Sequence, residues 1–456
     1  MAEKNPFSQS PEQFITMKQH IYQFNNKDNP TMAKRTRPLK NAEPPRPQRG
    51  RFTRWLKKKL LAQLQDIQHA HLVIIEGQTQ HNFGDELSDL QVSIRVHDDQ
   101  FYTSLALQGS VGAAESYSRG DWDCDELTRL IRVFVRNRDW LDGVENGSAR
   151  IKNALLKVGH FFNKNSQQGS RKNISEHYDL GNDLFRLFLD KRMMYSSAVY
   201  ESTSDDLETA ATRKLQLICE KLQLNEQDHV IEIGTGWGGF ALYAAQNYGC
   251  RVTTTTISEE QYRYACEQVE QAGLSDRITL LKKDYRDLTG QFDKLVSIEM
   301  VEAVGHHYLP TYLKQCDTLL KDDGLALIQA ITIEDSRYQQ ALKSVDFIKK
   351  HIFPGSFIPS VSTLVGTAGD HTQLKLINLE DIGDSYARTL ADWQQRFNQQ
   401  TEQLDKLGYD QHFRRMWRFY FSYCEGGFIE RSISDVHLLF AKPGNQRPMW
   451  LKTESP

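Results

Sequence analysis

The stretch "HVIEIGTGWGGFALYAA", residues 229–245, runs from an apolar segment through four glycines into a helix-like segment. A glycine-rich turn between a strand and a helix lets backbone come close to a ligand and aims free helix N–H groups at it. The same letters also suit a plain tight corner, so the surrounding residues must decide. A phosphate-binding P-loop is excluded, because no Gly-Lys-Ser/Thr follows the turn. The dinucleotide fingerprint GxGxxG also fits poorly: Gly239 lies three residues after Gly236, but the helix begins almost at once. The next strand ends in "TTTTIS" without the acid that would hold a ribose.

Outward from the turn, strand and helix patterns alternate. "LETAATRKLQLICEKLQL" places Leu207, Ala211, Leu215, Ile218 and Leu222 on one helical face. "RVTTTTI", "ITLLKKD", "FDKLVSIE" and "GLALIQAITI" read as further strands, and "SEEQYRYACEQVEQAG" as a helix with an acidic first turn. This alternation predicts an α/β fold, a doubly wound and mostly parallel sheet with its ligand at the strand C-termini. Upstream, residues 56–165 predict a smaller α+β domain. There "LSDLQVSIRV" and "QFYTSLALQG" alternate like strands, while "DELTRLIRVFVRN" has helical spacing. Polar residues 161–173 read as a linker, residues 166–445 as the catalytic domain and 446–456 as a tail.

Charge is unevenly spread. Residues 1–60 hold 14 Lys/Arg and 4 Asp/Glu, a balance of +10 within a chain of net charge −3, which leaves −13 for the rest. Prolines and a low apolar content make residues 1–55 a flexible basic arm, suited to an anionic membrane surface or to simple solubility. Trp55, Leu60, Leu61 and Leu64 lean toward a membrane-facing or a domain-entry helix. Nucleic acid is disfavoured as a partner, since no aromatic–basic platform accompanies the arm. Six scattered cysteines without a CxxC pair speak for a reducing compartment and against disulfides or zinc. No apolar run approaches a bilayer span, and the N-terminus lacks a signal-peptide layout. The expected location is the cytoplasm, peripheral on the inner face of the membrane; a homodimer is compatible with the sequence.

Glu232, inside the first strand and beside the glycines, fits the S-adenosylmethionine turn of class I methyltransferases. The resemblance then becomes specific. "ISEHYDLGNDLFRLFLDKRMMYSSAVY", "IGTGWGGF", "TTTTISEEQ", "DYRDL", "MVEAVGHHYLPTY", "QAITI", "YARTLADW" and "CEGGFIERSISDVHLLFAK" follow in order over residues 174–442. They are similar to the cyclopropane fatty acid synthases, and "GSVGAAESYSRGDWD" (109–123) resembles that family's lipid-engaging N-terminal domain.

The resemblance implies transfer of a sulfonium methyl to a cis double bond of phospholipid acyl chains. It places the donor S-adenosylmethionine against Tyr195, Ser196, Glu232, Gly234, Gly236, Gly238, Thr256, Ile257, Gln261, Asp284, Tyr285 and Arg286. It also implies a bound bicarbonate as the base, caged by Glu302, Gln329, Tyr386, the backbone of Ile331 and the backbone of Ser197. Two positions depart from the family's usual pattern, which has Cys at Ser197 and His at Gln329; the Gln329 amide can donate a hydrogen bond but cannot titrate. Cys424 joins the catalytic set as the family's often-cited cysteine. No covalent intermediate is required, however, and no neighbouring base is visible, so its residues point to packing beside the lipid tunnel. His306 and His307 are expected at the surface, with no metal. Two further readings stay open: a C-methyltransferase giving methyl- or methylene-branched chains, and a lipid-binding scaffold with an inactive donor site.

Overall fold

The computed structural model describes residues 50–138 and 180–446. The arm as far as residue 49, the linker at 161–173 and the tail after 446 lie outside the described residues. The arm's last residues do not: α1 spans Arg51–Leu64, so residues 51–55, assigned to the arm by composition, are helical.

The small sheet has the order β2-β1-β3-β4, from β1 (His71–Glu76), β2 (Thr79–Gly84), β3 (Gln91–Val96) and β4 (Trp122–Cys124). β1 runs antiparallel to β2 and parallel to β3. Between β3 and β4 lies α2 (Gln100–Arg119), and α3 (Leu127–Arg136) follows β4. The strand expected at "QFYTSLALQG" is therefore a helix. The reason is visible in the core: Phe101 and Tyr102 are both buried, and consecutive strand residues cannot share a face, whereas a helix allows it. Asp98 also accepts the N–H of Gln100 at 2.8 Å, marking the start of the helix. Gly109 interrupts α2 with φ 55° and ψ −131°, a kink only glycine takes without strain.

The large sheet has the order β10-β11-β9-β8-β5-β6-β7. It is built from β5 (His229–Ile233), β6 (Arg251–Thr255), β7 (Ile278–Leu281), β8 (Phe292–Ile298), β9 (Leu320–Ile333), β10 (Lys375–Asp381) and β11 (Ile433–Ala441). β7, β6, β5, β8 and β9 run parallel, and β11 is antiparallel to both β9 and β10. The expected doubly wound, mostly parallel sheet is what forms. Chain order reverses between β5 and β8, so the glycine turn after β5 sits at the switch point where such sheets bind ligands. The helices α4 (Asn182–Arg186), α5 (Leu207–Leu222), α6 (Gly239–Tyr248), α7 (Glu259–Gln271) and α8 (Leu309–Leu319) follow in order. After them come α9 (Asp335–Lys343), α10 (Val361–His371), α11 (Gly383–Gln399), α12 (Thr401–Lys406) and α13 (Gln411–Ile429).

The small sheet docks on the large one through α3 and α13. A Cβ on Gly426 would stand 2.8 Å from the Ile131 side chain, so the two helices touch at that glycine. Thr128 donates to Glu425 at 2.7 Å, and Arg132 and Arg136 both hold Glu430, at 2.6 and 2.9 Å. The contact is tight enough for both parts to wall one cavity. Among the described residues, no helix is long and apolar enough to cross a membrane.

Candidate active site

A cavity of about 800 Å³ opens at the C-terminal ends of β5, β6 and β8. Gly234 (φ 104°) and Gly236 (φ 53°) form its floor, both in the left-handed region. A Cβ on Gly234 would press on Met300 at 3.3 Å, while one on Gly236 would meet nothing within 4 Å because it would enter the cavity. Gly238 does not line the cavity; with φ 90° it caps α6 and packs on Ala265.

Glu232, nearly fully buried, accepts from the Thr254 hydroxyl at 2.6 Å. Burial raises its pKa to about 8, although Thr254 and Lys214 pull the other way. The Thr256 hydroxyl donates to the Gln261 carbonyl at 2.9 Å, which leaves the Gln261 amide N–H groups for a ligand. Ile257 lines the same wall. Asp284 and Tyr285 also line it, whereas Arg286 stands behind them as a clamp. Arg286 grips Asp284 with two bonds of 2.8 and 2.7 Å and stacks over Tyr285 and Tyr308. Tyr195 and Ser196 approach from the other side. Tyr195 shares a 3.0 Å hydrogen bond with Tyr420 and packs on Phe185 and Trp393.

The residues assigned to bicarbonate also gather, but around an acid the sequence reading passed over. Glu299 follows β8 directly, and its Oε1 accepts the Ser197 N–H at 2.7 Å and the Gln329 amide at 2.8 Å. Its Oε2 accepts the Tyr386 hydroxyl at 2.7 Å. The remaining donor, the Ile331 N–H, is taken by Glu302 Oε1 at 2.6 Å. Each of these donors is thus engaged by a protein carboxylate, and a second anion there would meet carboxylates instead of free N–H groups. The residues present do not fit a bound bicarbonate.

Glu302 Oε2 is buried with no hydrogen-bond partner, and the side chain lines the cavity. Burial and then the Glu299 charge push its pKa to about 8. The Gln329 amide also donates to Asp435 at 2.7 Å, and its carbonyl faces His437 Nε2 at 3.2 Å. Lys221 can only donate, and it meets His437 Nδ1 at 3.0 Å, so the proton of the imidazole sits on Nε2. Burial holds His437 neutral, with Lys221 and Lys214 adding to the effect. Asp435 is pushed well above the usual carboxylate range by burial and then by Glu299.

Lys214 was also missed. Its ammonium is fully buried and donates to the Ser196 hydroxyl at 2.7 Å. Burial lowers its pKa to about 8, against the pull of Glu299, Asp190, Asp435 and Glu232. It is the cation between the glycine-turn acid and the carboxylate cluster. Cys424 lines the cavity, and burial drives its thiol far above the usual range, which suits packing and not nucleophilic chemistry. His306 and His307 are exposed.

The rest of the cavity wall is apolar and comes partly from the small sheet's helices. Leu56 and Leu60 of α1, Leu105 beside the Gly109 kink, and Ile131 and Phe134 of α3 all face it.

Comparison with known proteins agrees with this geometry. The family described as mycolic acid cyclopropane synthetase matches residues 165–438. The cyclopropane-fatty-acyl-phospholipid synthase of Escherichia coli strain K12 is 37% identical over 351 residues, 76% of this chain and 87% of that protein. The tuberculostearic acid methyltransferase UfaA1 of Mycobacterium tuberculosis is 35% identical over 344 residues, 74% of this chain and 80% of that one. Among solved structures, the mycolic acid cyclopropane synthase CmaA1 complexed with SAH and CTAB is similar at 26% identity and a TM-score of 0.56. It covers 60% of this chain and 98% of its own. With a methyltransferase sheet, a glycine turn at its switch point and a cavity continuing into apolar walls, the chain belongs to the mycolic acid cyclopropane synthetase family of methyltransferase-fold enzymes.

Proposed function

We propose that this enzyme transfers the methyl of S-adenosylmethionine to a carbon of a cis double bond in a phospholipid acyl chain and closes a cyclopropane ring. The observation that carries the reading is one cavity lined both by the glycine turn with Gln261 and Asp284 and by the aliphatic faces of α1, α2 and α3. Gly234 and Gly236 leave room for the donor's methionine portion, the Gln261 amide and Asp284 supply polar contacts, and Tyr195 and Ser196 close over it. The bound donor supplies an electrophilic sulfonium methyl, whose S–C bond breaks as a C–C bond forms to the alkene. An alkene is a weak nucleophile, so the walls must align it and keep water out. Transfer leaves a cation on the chain, and a base must remove a proton from the new methyl before the ring can close.

A second reading, a methyl- or methylene-branched product, is favoured by the likeness to UfaA1. An inactive scaffold is opposed by the donor-side groups, which stay aimed into the cavity. Methyl-labelled S-adenosylmethionine, incubated with the protein and vesicles of monounsaturated phospholipid, should put label in the lipid fraction. Unlabelled lipid would refute both enzyme readings.

Docking on an anionic membrane surface is assigned to the arm and α1. Phe52 and Trp55 are each 57% exposed and stack at 6.2 Å, among Arg51, Arg54, Lys58 and Lys59. Exposed aromatics beside cations suit a headgroup layer, each basic residue contributing ~1 kcal/mol near an anionic surface. Removing residues 1–49, or replacing Phe52 and Trp55 with Ala, should reduce co-sedimentation with anionic vesicles. The truncation should lose most at low salt, because a Debye length of ~8 Å at physiological ionic strength screens solvated charges. Equal binding by full-length and truncated protein at low salt would leave the arm without this role.

A further inference from the structure

Glu299 adopts φ 47°, a left-handed conformation that a residue with a Cβ rarely takes. Such strain persists where the surroundings enforce it, and it is often found at functional sites. Here it turns the carboxylate toward the cavity, where three donors from separate segments converge on it: the Ser197 N–H, the Gln329 amide and the Tyr386 hydroxyl. Asp435 is a further hydrogen-bonded neighbour of this carboxylate, and Glu299 also lines the cavity wall.

The geometry points to Glu299 as the general base of this reaction, a carboxylate built into the chain where the family resemblance expects a bicarbonate. This inference rests on the methyl-transfer reading. In the step, the Glu299 carboxylate takes a proton from the newly transferred methyl carbon. The C–H electron pair forms the second C–C bond to the cationic carbon, and Glu299 is left as a neutral acid that returns its proton to solvent before the next turnover. Burial raises the Glu299 pKa, while the Ser197 N–H, the Tyr386 hydroxyl, Lys214 and the bond with Asp435 draw it back. Asp435 and Glu302 are less suited: Asp435 does not line the cavity, and Glu302 is not held by donors from three separate segments.

The test pairs two variants with two measurements. Glu299→Gln keeps the shape and removes the basicity; Glu299→Gly relieves the left-handed strain and opens space among the freed donors. With labelled donor and monounsaturated vesicles in carbonate-free buffer, wild type should turn over at its full rate. Both variants should fall by ~100-fold or more, the scale of general-base catalysis, with donor affinity retained. Added bicarbonate should restore Glu299→Gly and not Glu299→Gln. By ¹³C NMR, labelled bicarbonate should bind Glu299→Gly saturably and leave wild type unchanged. Bicarbonate binding by wild type, or a wild-type rate that collapses without it, would overturn the assignment while leaving the methyl-transfer reading intact. Absence of labelled lipid with wild type would instead overturn that reading, and the base role with it.

Discussion

Gly236→Val should abolish binding of S-adenosylmethionine, lowering affinity at least ~100-fold. Gly236 holds φ 53°, where a β-branched residue is a genuine outlier. Its Cβ would meet no protein atom within 4 Å, because the space it enters is the cavity between the glycine turn and Tyr195. The substitution therefore removes ligand volume and also strains the turn by ~1–3 kcal/mol. Gly273→Val separates the two effects. Gly273 has φ 66°, open space around its Cβ and no part in the cavity wall, so that variant carries the strain alone. Calorimetric titration with the donor should show binding by Gly273→Val and none by Gly236→Val. Wild-type affinity in Gly236→Val would remove the glycine turn from the donor site.

The second large effect is on stability. The ligand-free protein should become less stable as pH rises from 6.5 to 8, the reverse of acid denaturation. Glu232 and Glu302 are raised from an ordinary 4.5 to about 8, and Glu425 to about 7, with burial the first cause in each case. In that window the folded chain holds protons that the unfolded chain has released. Folding takes up protons, and raising the pH opposes it by ~1.4 kcal/mol per pH unit for each such carboxyl below its folded pKa, so Glu425 contributes only up to about pH 7. His437 acts in the opposite sense, but a lowered histidine pKa adds stability with rising pH only up to its unfolded value near 6.5. Lys214, lowered from 10.5 to about 8, adds stability only above pH 8. Urea unfolding at pH 6.5, 7.2 and 8 should give falling midpoints, and Glu232→Gln should flatten the slope by one carboxyl's share. A midpoint that holds steady or rises over this range in wild type would mean that these acids ionise freely in the folded state.

The donor side was legible in the sequence because its chemistry lies in contiguous words. "IGTGWGGF" carries its own backbone geometry, and "TTTTISEEQ" holds the pair Thr256 and Gln261 that hydrogen-bond each other. Alternation of strand and helix also gave the parallel sheet. On the base side the resemblance named Ser197, Gln329 and Tyr386, but Glu299 and Asp435 were not legible, since these groups lie far apart in the chain and only the fold brings them together. In "FDKLVSIEMVE" two acids stand three residues apart. The resemblance pointed to Glu302, and nothing in the pattern says that Glu299 turns inward through a left-handed backbone. Lys214 was hidden for a related reason: apolar periodicity treats a lysine as solvent-facing, although this one sits beside Ala211 and Leu215 on the buried face of α5. In "QFYTSLALQG" two-residue alternation was outweighed by the adjacent burial of Phe101 and Tyr102. A short apolar run cannot resolve that choice locally.

The central claim is that carbon is added to an acyl double bond, and lipid mass spectrometry tests it most directly. Monounsaturated phospholipids from cells expressing the protein should gain one CH₂, no longer take up hydrogen, and keep the gain in the acyl fragment. A Glu299→Gln strain should lack the product. A gain of CH₂ that still reacts as an olefin would move the product to the methylene-branched class. Acyl chains of unchanged mass in cells that hold folded, donor-binding protein would contradict the account.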